Sequence, residues 1–457
     1  MKTIEPNKAS KPTFKLGRTE LILFVVIMIA AVALRILWVL KIPNTPVYDF
    51  QTYHEIAVNI ATGYGHSFQG EAIAFQGMGY PTALGLFYKL IGETSVLWGK
   101  AFNVILSTLT LFLAYPIFRK LTKSWKLSIA AYALTAFLPN YIAYVSVIGA
   151  EVFMAFLFAA VIYLQLATFN KWVRWPLLGI FIGLAALTKP VFLVYPVVAA
   201  AVHYLREKNL KETLAFVLTT ALLMAVTVAP WTYRNYQKYD AFIPVSYNSG
   251  YVLYLNNNAN NVNGGWMPLK DAAASPELRA QIDEILQHGK RSEKLAYELD
   301  PLLKAEGKGW ILAHPLEFAK LGILRVQTTF FNGAWDIGSW AMNGLYPGVP
   351  QWTIQLERDL KAFRAVSDAL LNSMNGLAFA FVVLAAIPVV RSLFRREEKL
   401  PVGMILPTVN VSYFILIYFV FEGQARYNFP VLFLLAVCAV LAVSFIWRGV
   451  SSWRCQN

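Results

Sequence analysis

The sequence predicts an all-α polytopic membrane protein, and three observations predict it. Of 457 residues, 57% are hydrophobic and only 14% are charged, against roughly a quarter charged in a soluble domain. The apolar residues fall in long blocks, several of the length that crosses a bilayer. The Lys and Arg residues behind a net charge of +14 gather in short connections at alternate block ends, which is the positive-inside pattern. An ordinary soluble enzyme and a disordered chain are both excluded.

The blocks cover residues 21–40, 96–118, 127–146, 151–169, 175–188, 190–205, 212–231, 370–390, 402–421 and 428–447, so about ten transmembrane helices are expected. The first follows a tail with Lys2, Lys8, Lys11, Lys15 and Arg18 and lacks a small-residue cleavage site, so it reads as a retained anchor. The fifth and sixth are short and meet at Lys189-Pro190. Charge parity keeps them separate. With the N-terminus inside, Arg119, Lys120, Lys123 and Lys126, then Lys171 and Arg174, then Arg206, Lys208 and Lys211, then Arg391, Arg395, Arg396 and Lys399, and finally Arg448 and Arg454 all fall on the cytoplasmic side. Merging the two blocks would move later basic loops outside. Both termini are thus expected in the cytoplasm. The positive charge is topological, and nucleic acid is not an expected partner.

Two external segments are long, 41–95 and 232–368. They divide the chain into an N-terminal transmembrane module (1–231), an extracytoplasmic helical region (232–368) and C-terminal transmembrane helices (369–457). Residues 276–310 read as surface helices, and Asn256–Gly265, rich in Asn and Gly, reads as a loop. No Gly-rich phosphate loop with Lys-Ser/Thr occurs, which counts against an ATP-driven pump. The two cysteines, Cys438 and Cys455, form neither a disulfide scaffold nor a thiolate metal site.

Charged or strongly polar groups expected near the outer face are Arg35, Asp49, His54, Glu151, Lys189, Arg234, Glu422 and Arg426. Ionisable groups in or beside spans are expensive to hold and are functional candidates. Each also has a bland reading. Asp49, ahead of an amphipathic helix over Phe50–Thr62, would serve as its N-cap or, as a carboxylate, take a proton from an acceptor hydroxyl. Glu151 opens a span and suits the helix dipole. Lys189 and Arg234 follow outward-going spans, where two cations suit a phosphate or simply anchor at the interface. The segment Phe75-Gln76-Gly77-Met78-Gly79-Tyr80-Pro81 is a tight turn. Its glycines either admit a ligand close to the backbone or only make the turn. The five histidines show no metal-ligand spacing.

Read in order, these pieces resemble the polytopic GT-C glycosyltransferases, in the superfamily of protein O-mannosyltransferases and lipid A aminoarabinose transferases. The resemblance is carried by Asp49 after the first span, Met78-Gly79-Tyr80-Pro81, the acid of Ser146–Glu151, Gly183–Pro190 with Lys189, Ala229–Tyr236 with Arg234 and Asn235, and Arg426-Tyr427-Asn428-Phe429-Pro430. It implies a GT-C-like bundle and a polyprenyl-phosphate sugar donor used on the extracytoplasmic face. By analogy Asp49 is the general base, Glu151 a second acid, and Lys189 and Arg234 contacts to the donor phosphate. His54, Gln76, Tyr80, Asn235, Arg426 and Tyr427 are expected to complete the substrate site. Gln76 stands where the family often has a basic residue, and Met78 where it has Pro. Asp49-Phe50 replaces the Asp-Glu of eukaryotic O-mannosyltransferases, so a protein acceptor is not supported and a glycan or lipid acceptor is expected. Some relatives use a divalent metal, although no ligand cluster in this sequence demands one.

The chemistry is coherent without the family. A prenyl donor enters from the bilayer, so many spans surround one polar site. Cations stabilise the departing phosphate, a carboxylate deprotonates the acceptor, and direct displacement inverts the anomeric centre. Trp266, Trp310, Trp335 and Trp340 are candidate sugar-stacking groups, or alternatively interfacial and packing residues. A secondary transporter or lipid flippase also explains charge beside spans, though the polar groups cluster at one face rather than at the midplane. A non-catalytic scaffold is the third reading. A bacterial plasma membrane is the expected location.

Overall fold

The computed structural model describes residues 16–287, 296–345, 361–395 and 399–454. The basic tail before residue 16, and residues 288–295 within the expected surface helices, lie outside them. Helices dominate. α1 (Arg18–Lys41) leads through an extended segment to α2 (Asp49–Ala61). A two-residue hairpin follows, β1 (Ser67–Phe68) antiparallel to β2 (Glu71–Ala72), with Ser67 opposite Ala72. Next come α3 (Gly79–Ile91), α4 (Val96–Thr122), α5 (Trp125–Ala136), α6 (Pro139–Ala143), α7 (Ala150–Leu166), α8 (Lys171–Thr188), α9 (Tyr195–Glu207) and α10 (Leu210–Tyr239). The segment 232–368 contributes α11 (Ser249–Asn256), α12 (Pro276–Gln287), α13 (Leu299–Ala313) and α14 (Pro315–Phe331). The chain closes with α15 (Lys361–Phe394), α16 (Val402–Val420) and α17 (Leu432–Arg454).

Every expected apolar block coincides with a helix or a helix pair. Among the described residues, six are long and apolar enough to cross a membrane: α1, α4, α10, α15, α16 and the stretch Ala425–Trp447 that ends in α17. The pair Trp125–Ala136 and Pro139–Ser146, bent by 55°, would make a seventh. The helices α7, α8 and α9, with 17, 18 and 13 residues, fall outside that set. Proline explains both breaks. Pro139 opens α6 after Leu138. Pro190 forces Lys189 into an extended conformation (φ −136°, ψ 111°) and starts a 3-10 turn, Pro190–Val194, before α9.

The helices sort by what surrounds them. All of α7 except Phe156 and Tyr163 is buried, as suits a helix that is apolar all round and central in a bundle. It packs on α4, on α8 and on the 3-10 turn Ala425–Val431. By contrast α1 exposes Ile29 and Leu40 at 64% each, a surface suited to lipid. The helices α8 and α10 approach each other closely. There a Cβ on Gly179 would lie 2.7 Å from Thr220 O, and one on Gly183 would lie 2.6 Å from Thr227 Cβ. The two glycines, four apart, let the backbones approach as small-residue motifs do in membranes. The Asn-rich loop after α11 is packed, not free: Asn257, Asn258 and Asn261 are buried, and Asn257 accepts a 2.8 Å bond from the fully buried Arg325.

Candidate active site

Four stretches far apart in sequence meet at one end of the bundle. Asp49 is the first residue of α2, and Tyr48, held at φ 50°, is the N-cap. The expected capping role for Asp49 is therefore corrected. Being already helical, its side chain turns instead toward Arg426, whose Nη2 lies 3.4 Å from Asp49 Oδ2. Glu151 stands in the first turn of α7, behind the N-cap Gly149. Its Oε1 lies 3.8 Å from Arg426 Nε. Its Oε2 is buried without a hydrogen-bond partner among the described residues. Gly149 is required here, because a Cβ would come within 2.5 Å of Glu151 Oε2 and 2.8 Å of the Phe50 ring.

Arg426 is the centre of the cluster. It sits in the 3-10 turn Ala425–Val431, with a buried guanidinium that also donates to Gln424 Oε1 at 2.9 Å. Aromatic faces enclose it: Phe50 at 5.0 Å, Tyr427 at 5.6 Å and Trp340 at 5.9 Å. Lys189 Nζ lies 5.0 Å from the Tyr427 ring centroid. The Tyr427 hydroxyl donates to Glu422 Oε2 at 2.8 Å, and Gln424 Nε2 donates to Glu422 Oε1 at 2.5 Å.

The turn Phe75–Pro81 and the end of α8 are in direct contact. A Cβ on Gly77 would stand 2.2 Å from Thr188 O, and one on Gly79 2.1 Å from Thr188 Oγ1. The glycines of the turn thus hold backbone against the residue that precedes Lys189. Gln76 Oε1 is buried and has no hydrogen-bond partner among the described residues. Tyr80 is fully buried, donates to Asn103 Oδ1 at 3.2 Å, and meets Tyr53 edge-on at 5.7 Å. His54 lies further along α2, where Nδ1 and Tyr88 Oη share a 3.1 Å hydrogen bond and burial lowers the imidazole's proton affinity.

Arg234 is not brought into this cluster. Its Nη2 donates to His66 O at 2.9 Å and its Nη1 to Ile73 O at 3.2 Å and Asn235 Oδ1 at 2.9 Å, with Trp231 beneath it at 4.5 Å. It clasps the two sides of the β1–β2 hairpin. Asn235 is fully buried and ties the end of α10 to Ile243 O at 3.0 Å. His66 sits edge-on to Trp231 at 4.7 Å, and burial, with Arg234 beside it, pushes its imidazole down to about 3. Arg35 is also elsewhere, fully buried between α1, α4 and α5, where it donates to Ser107 Oγ at 2.8 Å and Ala136 O at 3.0 Å.

Sequence reasoning missed Asp336. This buried carboxylate accepts from the Tyr144 hydroxyl, and burial pushes it up to about 6. Arg426 and Glu151 both act on it electrostatically. Its signal was present, a lone acid inside the aromatic run Phe330–Trp340. Of the four tryptophans, Trp340 borders the cluster, edge-on to Phe50 at 5.4 Å. Trp335 lies under Arg364 at 4.9 Å, Trp310 stacks on His314 at 5.0 Å, and Trp266 is exposed. Among the described residues no group of three or more His, Cys, Asp or Glu side chains is arranged to hold a metal ion. The two acids of the cluster face Arg426 instead.

Comparison with known proteins places this arrangement. Residues 77–233 match the dolichyl-phosphate-mannose-protein mannosyltransferase family. No curated protein matches the chain by sequence. Among solved structures, the archaeal oligosaccharyltransferase AglB from Archaeoglobus fulgidus, in complex with an inhibitory peptide and a dolichol-phosphate, superposes with a TM-score of 0.53 at 16% identity, over 96% of this chain and 51% of that one. The same organism's enzyme, tethered to an acceptor peptide containing the NVT sequon, gives 0.52 at 16% identity over the same shares. A weaker likeness, 0.43 at 13% identity over 93% and 78%, is to ArnT from Cupriavidus metallidurans bound to undecaprenyl phosphate. The chain spans about half the length of the oligosaccharyltransferase it matches. The chain thus shares the multi-helix membrane fold of that oligosaccharyltransferase, and residues 77–233 within it carry the mannosyltransferase-family match.

Proposed function

We propose that the chain is an inverting glycosyltransferase that moves a sugar from a polyprenyl-phosphate-linked donor to an acceptor hydroxyl of a cell-envelope glycan or lipid. The reaction runs on the extracytoplasmic face of a bacterial plasma membrane, with about ten spans and both termini cytoplasmic. One observation carries the reading: Asp49, Glu151, Lys189 and Arg426 meet at one end of an apolar bundle. The oligosaccharyltransferase that shares the fold was solved with a dolichol-phosphate, which supports a lipid-phosphate donor.

Exposure supports the division of roles between the two acids. The Asp49 side chain is 33% exposed and that of Glu151 only 5%, so Asp49 is the carboxylate an acceptor reaches. It takes the hydroxyl proton as the acceptor oxygen attacks the anomeric carbon. The bond from that carbon to the phosphate oxygen breaks, and polyprenyl phosphate departs with the electron pair. Lys189, above Tyr427 and with no acid paired to it within salt-bridge reach among the described residues, holds the developing phosphate charge. Arg426 fixes where both acids point. Glu151 is the second acid of the site and Gln76 lines it, each with a buried oxygen that has no partner among the described residues. Arg234 enters as the clasp of the first external segment, because its bonds go to His66 O and Ile73 O. The external region 232–368 covers the acceptor side, between the modules 1–231 and 369–457.

The test is turnover by purified wild type and Asp49→Asn in detergent, with labelled polyprenyl-phosphate sugars and membrane extract as acceptor source. Transfer by wild type alone, with donor still bound by the variant, supports the assignment. Flux of donor across proteoliposomes without any covalent product would replace it with the flippase reading.

A further inference from the structure

The end of α7 opposite Glu151 carries a second cluster. Lys120 Nζ donates to Leu166 O at 2.6 Å, Arg206 Nη1 donates to Gln165 O at 2.7 Å, and Arg174 Nη1 donates to Ala167 O. Three cations from α4, α9 and α8 thus converge on three consecutive carbonyls. A helix C-terminus carries about half a negative charge, so three full cations exceed what capping it requires. Around them Arg119 is paired with Glu20 at 2.8 Å and Lys171 with Glu212 at 2.9 Å, while Glu207 stands 3.9 Å from Arg206. Five cations face three carboxylates, and the neighbourhood keeps a positive surplus.

The three cations are half-buried and still reachable, the Arg206 side chain being 26% exposed. Each donates one hydrogen bond to the helix end, whereas an Arg has five N–H donors and a Lys three. Apolar side chains beside them in sequence are open: Phe169, Trp172, Val173, Leu210 and Leu214 are all more than two-fifths exposed. The 17 residues of α7 put this cluster about 25 Å from the Glu151 end. It therefore stands at the other rim of the apolar bundle, at headgroup level, with a Trp at its edge as interfaces favour.

We propose that Lys120, Arg174 and Arg206 form a binding site for the phosphate headgroup of an anionic phospholipid, whose acyl chains lie along Trp172, Val173 and Leu214. The guanidinium groups bind phosphate oxygens through paired N–H donors, and the apolar flank holds the chains. The site is separate from the transfer chemistry and does not depend on it.

The test uses the full-length protein in neutral detergent, with bound lipid counted by native mass spectrometry. Phosphatidylglycerol, phosphatidylethanolamine and inorganic phosphate are titrated separately. Wild type should retain phosphatidylglycerol about tenfold more tightly than phosphatidylethanolamine. Lys120→Gln, Arg174→Gln and Arg206→Gln should each weaken it about fivefold. Lys126→Gln and Lys211→Gln, exposed cations of the same rim, should leave it unchanged. Arg174→Lys, which keeps the charge, should retain most of the binding and serves if a neutral variant does not fold. Equal retention of the two lipids, an equal loss in Lys126→Gln, or displacement of the lipid by inorganic phosphate at matched concentration would each overturn the proposal.

Discussion

Arg426 Nη2 lies 3.4 Å from Asp49 Oδ2, joining residues 377 positions apart in the chain. This pair closes the candidate site, because it links the start of α2 to the turn that leads into α17. The same guanidinium reaches Glu151 at 3.8 Å, so one cation orients two carboxylates.

Removing the proposed base tests the chemistry directly. Asp49→Asn keeps the shape of the side chain but cannot accept the acceptor's proton. Transfer should fall by about 10²–10⁴-fold, the contribution typical of a general base, while donor binding persists. Single-turnover assays with a donor-binding measurement in parallel separate the two effects.

Removing the central cation tests the architecture. Arg426→Gln leaves Glu151 buried without its cation, and breaking a buried pair costs about 3–5 kcal/mol. The variant should lose both thermal stability and activity. Adding Glu151→Gln should restore much of the stability and none of the transfer. A double-mutant cycle on melting temperature and turnover checks this, and additive stability losses would contradict it.

Asp336 gives a pH signature. Burial raises its carboxyl from 3.8 to about 6. The folded state therefore favours the protonated form. That contribution is full below about pH 4 and is lost as pH rises through about 6. Asp336→Asn, which cannot ionise, should become more stable relative to wild type across this window, by at most about 3 kcal/mol. Thermal unfolding in detergent at pH 4, 5, 6 and 7 measures the difference.

The contact between the Phe75–Pro81 turn and α8 leaves no room for a methyl group. Gly77→Ala would place Cβ 2.2 Å from Thr188 O, a backbone atom that cannot step aside alone. Overpacking of this kind typically costs about 1–3 kcal/mol, and it should displace Lys189. A rise in the donor's apparent Kd larger than that of Gly309→Ala, whose Cβ would meet open space on an ordinary helical backbone, is the expected result.

Arg234→Ala tests the clasp. Its loss releases His66 O and Ile73 O together, so hydrogen exchange across residues 66–73 should quicken. A fall in transfer with unchanged exchange there would instead favour direct contact with the donor phosphate.

Composition and apolar run length were enough to read the membrane class and the apolar helical blocks, because run length is a local property of the chain, whereas α11 and α14 carry no such run and were not read. Proline did the same for the break at Lys189, whose extended backbone follows from Pro190 alone. The site was legible only as a set of polar residues sharing one face. Which of them touch was decided by tertiary packing. Arg426 joins Asp49, and Arg234, just as basic and just as close to a span end, turns to the hairpin carbonyls instead. Asp336 entered through the fold of the segment 232–368, which brings it to Tyr144, 192 positions away in the turn before α7. Long-range pairing of charges depends on where helix ends converge in space, and no local pattern of residues encodes that convergence.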